Sequence, residues 1–73
     1  MRFQYSIHAR KRMRERNISE QEVLQCVENY QIKHQDKRGN PVYKADIGNR
    51  RIKVIIASDD SDFVITVAEK ELE

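Results

Sequence analysis

Ser6-Ile7-His8-Ala9-Arg10-Lys11-Arg12-Met13-Arg14-Glu15-Arg16-Asn17-Ile18-Ser19-Glu20-Gln21-Glu22-Val23 holds two helix starts and a helix end. Ser6 precedes the first helix and can accept a hydrogen bond from a free backbone N–H. Ser19 followed by Glu22 is a capping box, and Ile18 is placed to staple onto Val23. Asn17 lies between the two starts and tolerates the left-handed conformation that ends helices. The spacing predicts helices over 7–16 and 20–30. On the first, at about 100° per residue, Ala9 and Met13 make the core contacts. His8, Arg12 and Arg16 follow at i, i+4, i+8 and form a ladder on one flank. Arg10, Lys11 and Arg14 fall on the opposite, solvated side. On the second, Val23, Cys26, Val27 and Tyr30 give the core face.

Five of the chain's 14 Lys and Arg residues lie in this stretch. Helix electrostatics do not call for them, because cations near a helix start oppose the macrodipole. Glu15 is the one acid within the first helix, and Lys11-to-Glu15 is the weaker i,i+4 order. A positive face beside an imidazole suits an anionic ligand, above all phosphate. The competing reading is a solvated basic face with Arg16 folded under the sheet as a structural cation.

Beyond residue 31 the period changes from helical to two. Ile32 and His34 alternate with polar neighbours, and Lys37-Arg38-Gly39-Asn40-Pro41 makes a turn. Strands are predicted over 42–47, 51–57 and 63–68, with Gly48-Asn49 as a two-residue hairpin turn. Ser58 to Asp62 reads as a polar turn and 69–73 as a frayed end. Arg2 to Tyr5 reads as a brief strand or an extended lead-in. The expected fold is α+β, with two helices on one face of an antiparallel meander of about four strands, all in a single domain over 1–73. Lys44, Arg51 and Lys53 are expected on the other face or at its rim.

The net charge of +2 hides an asymmetry. Residues 1–16 carry Arg2, Arg10, Lys11, Arg12, Arg14 and Arg16 against Glu15. Residues 54–73 carry six acids against Lys70. The basic end suits nucleic acid or an acidic protein partner. A single cysteine excludes an internal disulfide, and Cys26 is expected as a buried thiol. His8, His34 and Cys26 are too scattered for a metal site, and no cofactor is expected. There is no membrane-length apolar run and no signal-peptide pattern, so a cytoplasmic location is expected.

The string Ser6-x-His8-Ala9-x-x-Arg12-Met13-x-x-Arg16-x-Ile18-Ser19-x-x-Glu22-Val23 resembles a family of small bacterial proteins known as a domain of unknown function. Asn17 and Tyr30 stand where that family often has glycine. The order helix-helix-sheet is similar to the RelE/ParE toxin superfamily, a likeness of topology. That resemblance implies an endoribonuclease and an antitoxin partner, with contacts to RNA from the helices and the exposed sheet face. His8, Arg12 and Arg16 match the motif and are the expected catalytic residues. His8 would transfer a proton, and the arginines would offer planar donors to phosphate. Arg10, Lys11, Arg14, Lys44, Arg51 and Lys53 are the expected nucleic-acid contacts, and Thr66 joins the sheet residues on topology. A non-catalytic module binding nucleic acid or an acidic protein stays open, as does a toxin-like chain acting on a protein target.

Overall fold

The computed structural model describes residues 2–72. The elements in order are β1 Gln4–Tyr5, α1 Ile7–Glu15, α2 Glu20–Glu28, β2 Ile32–Gln35, β3 Pro41–Ile47, β4 Arg50–Ala57 and β5 Asp60–Glu71. The sheet order is β1-β5-β4-β3-β2. The four consecutive strands β2 to β5 pair antiparallel. The sheet is nonetheless five-stranded and mixed, because β1 pairs parallel with β5 through Gln4–Phe63 and Tyr5–Val64. This corrects the expected four-stranded meander. A parallel pair needs a long crossover, and the two helices supply it.

The local signals formed as read. Ser6 Oγ accepts from the Ala9 N–H at 2.9 Å and donates to the Ile65 carbonyl at 2.6 Å. The cap therefore also pins α1 to the sheet. Asn17 has φ 54°. The Asn17 N–H donates to the Arg14 carbonyl, and the Ile18 N–H to the Met13 carbonyl at 2.8 Å. That pair of bonds is a Schellman ending, with Met13 and Ile18 both buried at its hydrophobic contact. Both capping-box bonds of Ser19 and Glu22 are present, at 3.0 and 2.9 Å. Gly48 has φ 65° at the first central position of the β3–β4 hairpin, where a primed turn requires it.

The core lies between the helices and one sheet face. Ala9, Met13, Ile18, Val23 and Cys26 meet Ala45, Ile52, Val54, Val64 and Val67. Three expectations need correction. Both helices are shorter than read, ending at Glu15 and Glu28. Tyr30 lies past the end of α2, 47 % exposed, its ring 5.4 Å from that of Tyr43. β5 begins at Asp60 and runs to Glu71, so it takes in part of the expected polar turn and part of the expected frayed end. Polar side chains are tolerated at both ends, because Asp60 to Asp62 are exposed and Glu69 lies 3.9 Å from an Arg16 Nη.

Candidate nucleic-acid interface

Strand alternation separates the sheet's two faces. Tyr43, Ala45 and Ile47 pack against the core, so Val42, Lys44 and Asp46 stand on the open face. Register carries this across the sheet. One row is Ile32, Lys44, Lys53 and Ala68; its neighbours are Asp46, Arg51 and Lys70 on one side and His34, Val42, Ile55 and Thr66 on the other. Lys44, Arg51, Lys53, Ala68, Glu69 and Lys70 line an open groove of about 300 Å³.

The groove is strongly positive. Arg51 is held by Asp46 through Nε–Oδ1 at 2.7 Å and Nη2–Oδ2 at 3.2 Å. The Arg51 guanidinium holds the Asp46 carboxyl below its usual range, and Asp46 in turn raises Arg51. Lys44, Lys53 and Lys70 make no ion pair among the described residues. Lys44 lies directly opposite Lys53. Ile47–Arg50 closes a two-residue hairpin, which makes 44–53 a non-hydrogen-bonded pair, the kind whose side chains approach closest. Like charges in that position oppose folding. Lys70 escaped the sequence reading because it fell in the expected frayed end. Its membership of the open face is legible only once β5 is extended.

The helix ladder lies on the other side of the sheet. His8 is exposed, and it has no hydrogen-bond partner among the described residues. Arg12 Nε lies 3.8 Å from Glu15, and an Arg16 Nη lies 3.9 Å from Glu69 of β5. Arg10 is not merely solvated as expected. Its guanidinium lies 4.4 Å from the Tyr5 ring centroid and 3.0 Å from Glu20 of α2. Arg10 thus ties α1 to β1 and α2. Lys11 and Arg14 are exposed, without an acid partner among the described residues. The fold therefore brings Lys44, Arg51 and Lys53 together on one side of the sheet and keeps His8, Arg12 and Arg16 with α1 on the other.

The structural cation suspected in Arg16 is Arg50. Its guanidinium donates to the Arg16 carbonyl at 2.7 Å, the Asn17 carbonyl at 2.9 Å and both Glu22 oxygens at 2.9 and 3.0 Å. The C-terminal carbonyls of α1 receive a positive charge where the macrodipole favours one. Cys26 is buried, with its Sγ 3.4 Å from the Ile52 carbonyl, and burial pushes the thiol up to about 11. No cluster of three His, Cys, Asp or Glu that could hold a metal occurs among the described residues. No described helix is long and apolar enough to cross a membrane.

No curated protein and no solved structure matches the chain. The family described as a domain of unknown function, DUF4258, matches residues 5–69. That span takes in both helices, the Lys44–Lys53 pair and most of β5; the chain belongs to the DUF4258 family.

Proposed function

We propose that the protein acts on RNA, holding the sugar-phosphate backbone on the open face of its sheet. The observation that carries this is the Lys44–Lys53 pair, two cations directly opposite each other that make no ion pair among the described residues. A pair that opposes folding has a use when an anion bridges it. Lys70 and the Asp46-held Arg51 extend the same surface along the groove. Ile55, half-buried in the next row, supplies an apolar contact for a sugar or base. Lys11 and Arg14 add a second, weaker positive surface on α1.

The test is binding of single-stranded RNA as a function of salt. Each phosphate contact contributes about 0.7 to the slope of log affinity against log salt. Lys44→Gln/Lys53→Gln lowers that slope by about 1.4. An unchanged slope and affinity, with the fold intact, sinks the proposal. The same measurement on Arg12→Gln/Arg16→Gln reports what the helix ladder adds.

A second reading places the chemistry on the helix side of the sheet and is independent of the first. It takes the helix-helix-sheet order as toxin-like and proposes metal-independent cleavage, in which RNA's own 2′-hydroxyl attacks the adjacent phosphate. In this reading His8 transfers a proton, Arg12 and Arg16 on the same flank stabilise charge, and an antitoxin protein is the partner. Cleavage in EDTA by the purified protein, with products ending in 2′,3′-cyclic phosphate, is the result expected. Absence of cleavage, on free RNA and on ribosomes, leaves a binding module.

A further inference from the structure

We infer that His34 is the proton acceptor of an RNA-cleaving site on the open face. The inference rests on the proposal that RNA lies there. His34 pairs with Val42 in β2–β3, while Ile32, two residues earlier, pairs with Lys44. Lys33, between them, turns to the helix side, its Nζ 5.2 Å from the Tyr43 ring centroid. His34 therefore stands on the same face as Lys44 and Lys53, one row along. Diagonal neighbours on one face are about 7–8 Å apart, within reach of long and aromatic side chains. One phosphodiester unit can touch the Lys44 ammonium and the His34 ring together. His8, on a helix that packs against the opposite face, cannot share that phosphate.

The ring is also presented in the right form. His34 Nδ1 lies 3.3 Å from the Gln35 carbonyl. A carbonyl only accepts, so in the tautomer that makes this contact the proton sits on Nδ1 and the Nε2 lone pair is free. The side chain is exposed. Val42 beneath it is buried, though no helix covers it, and gives the ring an apolar floor.

The step balances within the chain's own groups. The 2′-oxygen forms a bond to phosphorus and gives its proton to His34 Nε2. The bond from phosphorus to the 5′-oxygen breaks, and that oxygen takes a proton from the Lys44 ammonium. Lys53 and Arg51 hold the non-bridging oxygens. The imidazolium proton then returns to the Lys44 amine through solvent. The products are a 2′,3′-cyclic phosphate and a 5′-hydroxyl, with no metal, water or oxidant consumed.

The experiment uses the full chain in EDTA with a fluorescein-labelled single-stranded RNA of mixed sequence. Binding is read by anisotropy and cleavage by gel. The parent binds and cuts. His34→Ala still binds RNA through Lys44 and Lys53 and, with RNA saturating, cuts about 10²–10⁴ times more slowly. Added free imidazole restores part of that loss, which no structural role of His34 explains. Full cleavage by His34→Ala overturns the inference, and so does cleavage lost in His8→Ala but kept in His34→Ala. A parent that binds RNA through Lys44 and Lys53 without cutting it overturns the inference and leaves the binding proposal standing. A parent that does not bind RNA overturns both.

Discussion

Arg50 grips Glu22 with both carboxylate oxygens within 3.0 Å of one guanidinium nitrogen. The same guanidinium closes the end of α1 through two carbonyls. Two stretches distant in sequence thus meet at one side chain: the α1–α2 junction, with its helix end and capping box, and the start of β4. Both side chains are mostly covered, Arg50 at 19 % and Glu22 at 25 % exposed. Removing either leaves the other's polar atoms short of partners in a partly dry place. Arg50→Ala is expected to cost about 2–3 kcal/mol by urea unfolding. A double-mutant cycle with Glu22→Gln should give a coupling on the order of 1 kcal/mol or more.

Glu22 makes stability depend on acid. Burial pushes its carboxyl up, but the Ser19 N–H and the Arg50 guanidinium outweigh that, and the net shift is downward. A depressed folded value means that the unfolded chain binds the proton more readily. The Glu22 contribution is then complete above the ordinary value of 4.5 and is lost as pH falls below it through the folded value. Asp46 and Asp36 are shifted the same way and act in the same direction. Thermal unfolding measured from pH 6 downward should show Glu22→Gln with a shallower acid limb than the parent. Parallel limbs would remove Glu22 from the acid response.

Lys44→Glu separates folding from binding. It puts a carboxylate directly opposite Lys53. An opposite-charge cross-strand pair in place of a repulsive one should stabilise the fold by about 0.2–1 kcal/mol. The same change should weaken RNA binding by more than the neutral Lys44→Gln. A protein that is both less stable and unaltered in binding would contradict the account of this pair.

Ser6→Ala removes two bonds with one atom. The Ala9 N–H loses its acceptor and the Ile65 carbonyl loses its donor. The expected cost is about 1–2 kcal/mol, at the upper end for a helix cap because the hydroxyl also joins helix to sheet. Amide exchange over α1 should quicken more than over α2. Equal changes in both helices would mean that the cap acts only through global stability.

The parts of this fold legible in the sequence are those decided within a few residues. Ser19 and Glu22 are three apart, Asn17 follows its helix directly, and Gly48-Asn49 sits between two alternating runs. What was missed depends on distant partners. β1 is two residues long, and nothing near Gln4 or Tyr5 points to Phe63 and Val64. Glu69, Lys70 and Glu71 read as a charged tail until β4 is there to pair them. Arg50 and Arg51 are adjacent and chemically alike, yet alternation sends Arg50 to the helix ends and Arg51 to the open groove. The sequence reading chose Arg51 and passed over Arg50. The cations of α1 looked unpaired because Glu20 and Glu69 reach them only in the folded state.

Cys26 has a consequence for experiment. It is the chain's one thiol, with no exposed surface, wedged under α2 against β3 and β4. A reagent that needs a thiolate cannot reach it while the helix stays seated, and the elevated titration of the thiol slows the reaction further. Each modification event therefore records one lifting of α2 from the sheet. Under conditions where closing outpaces labelling, the modification rate relative to that of an unstructured peptide thiol gives the free energy of that opening. The protein carries its own single-site stability reporter, readable by mass spectrometry without added dye or tag.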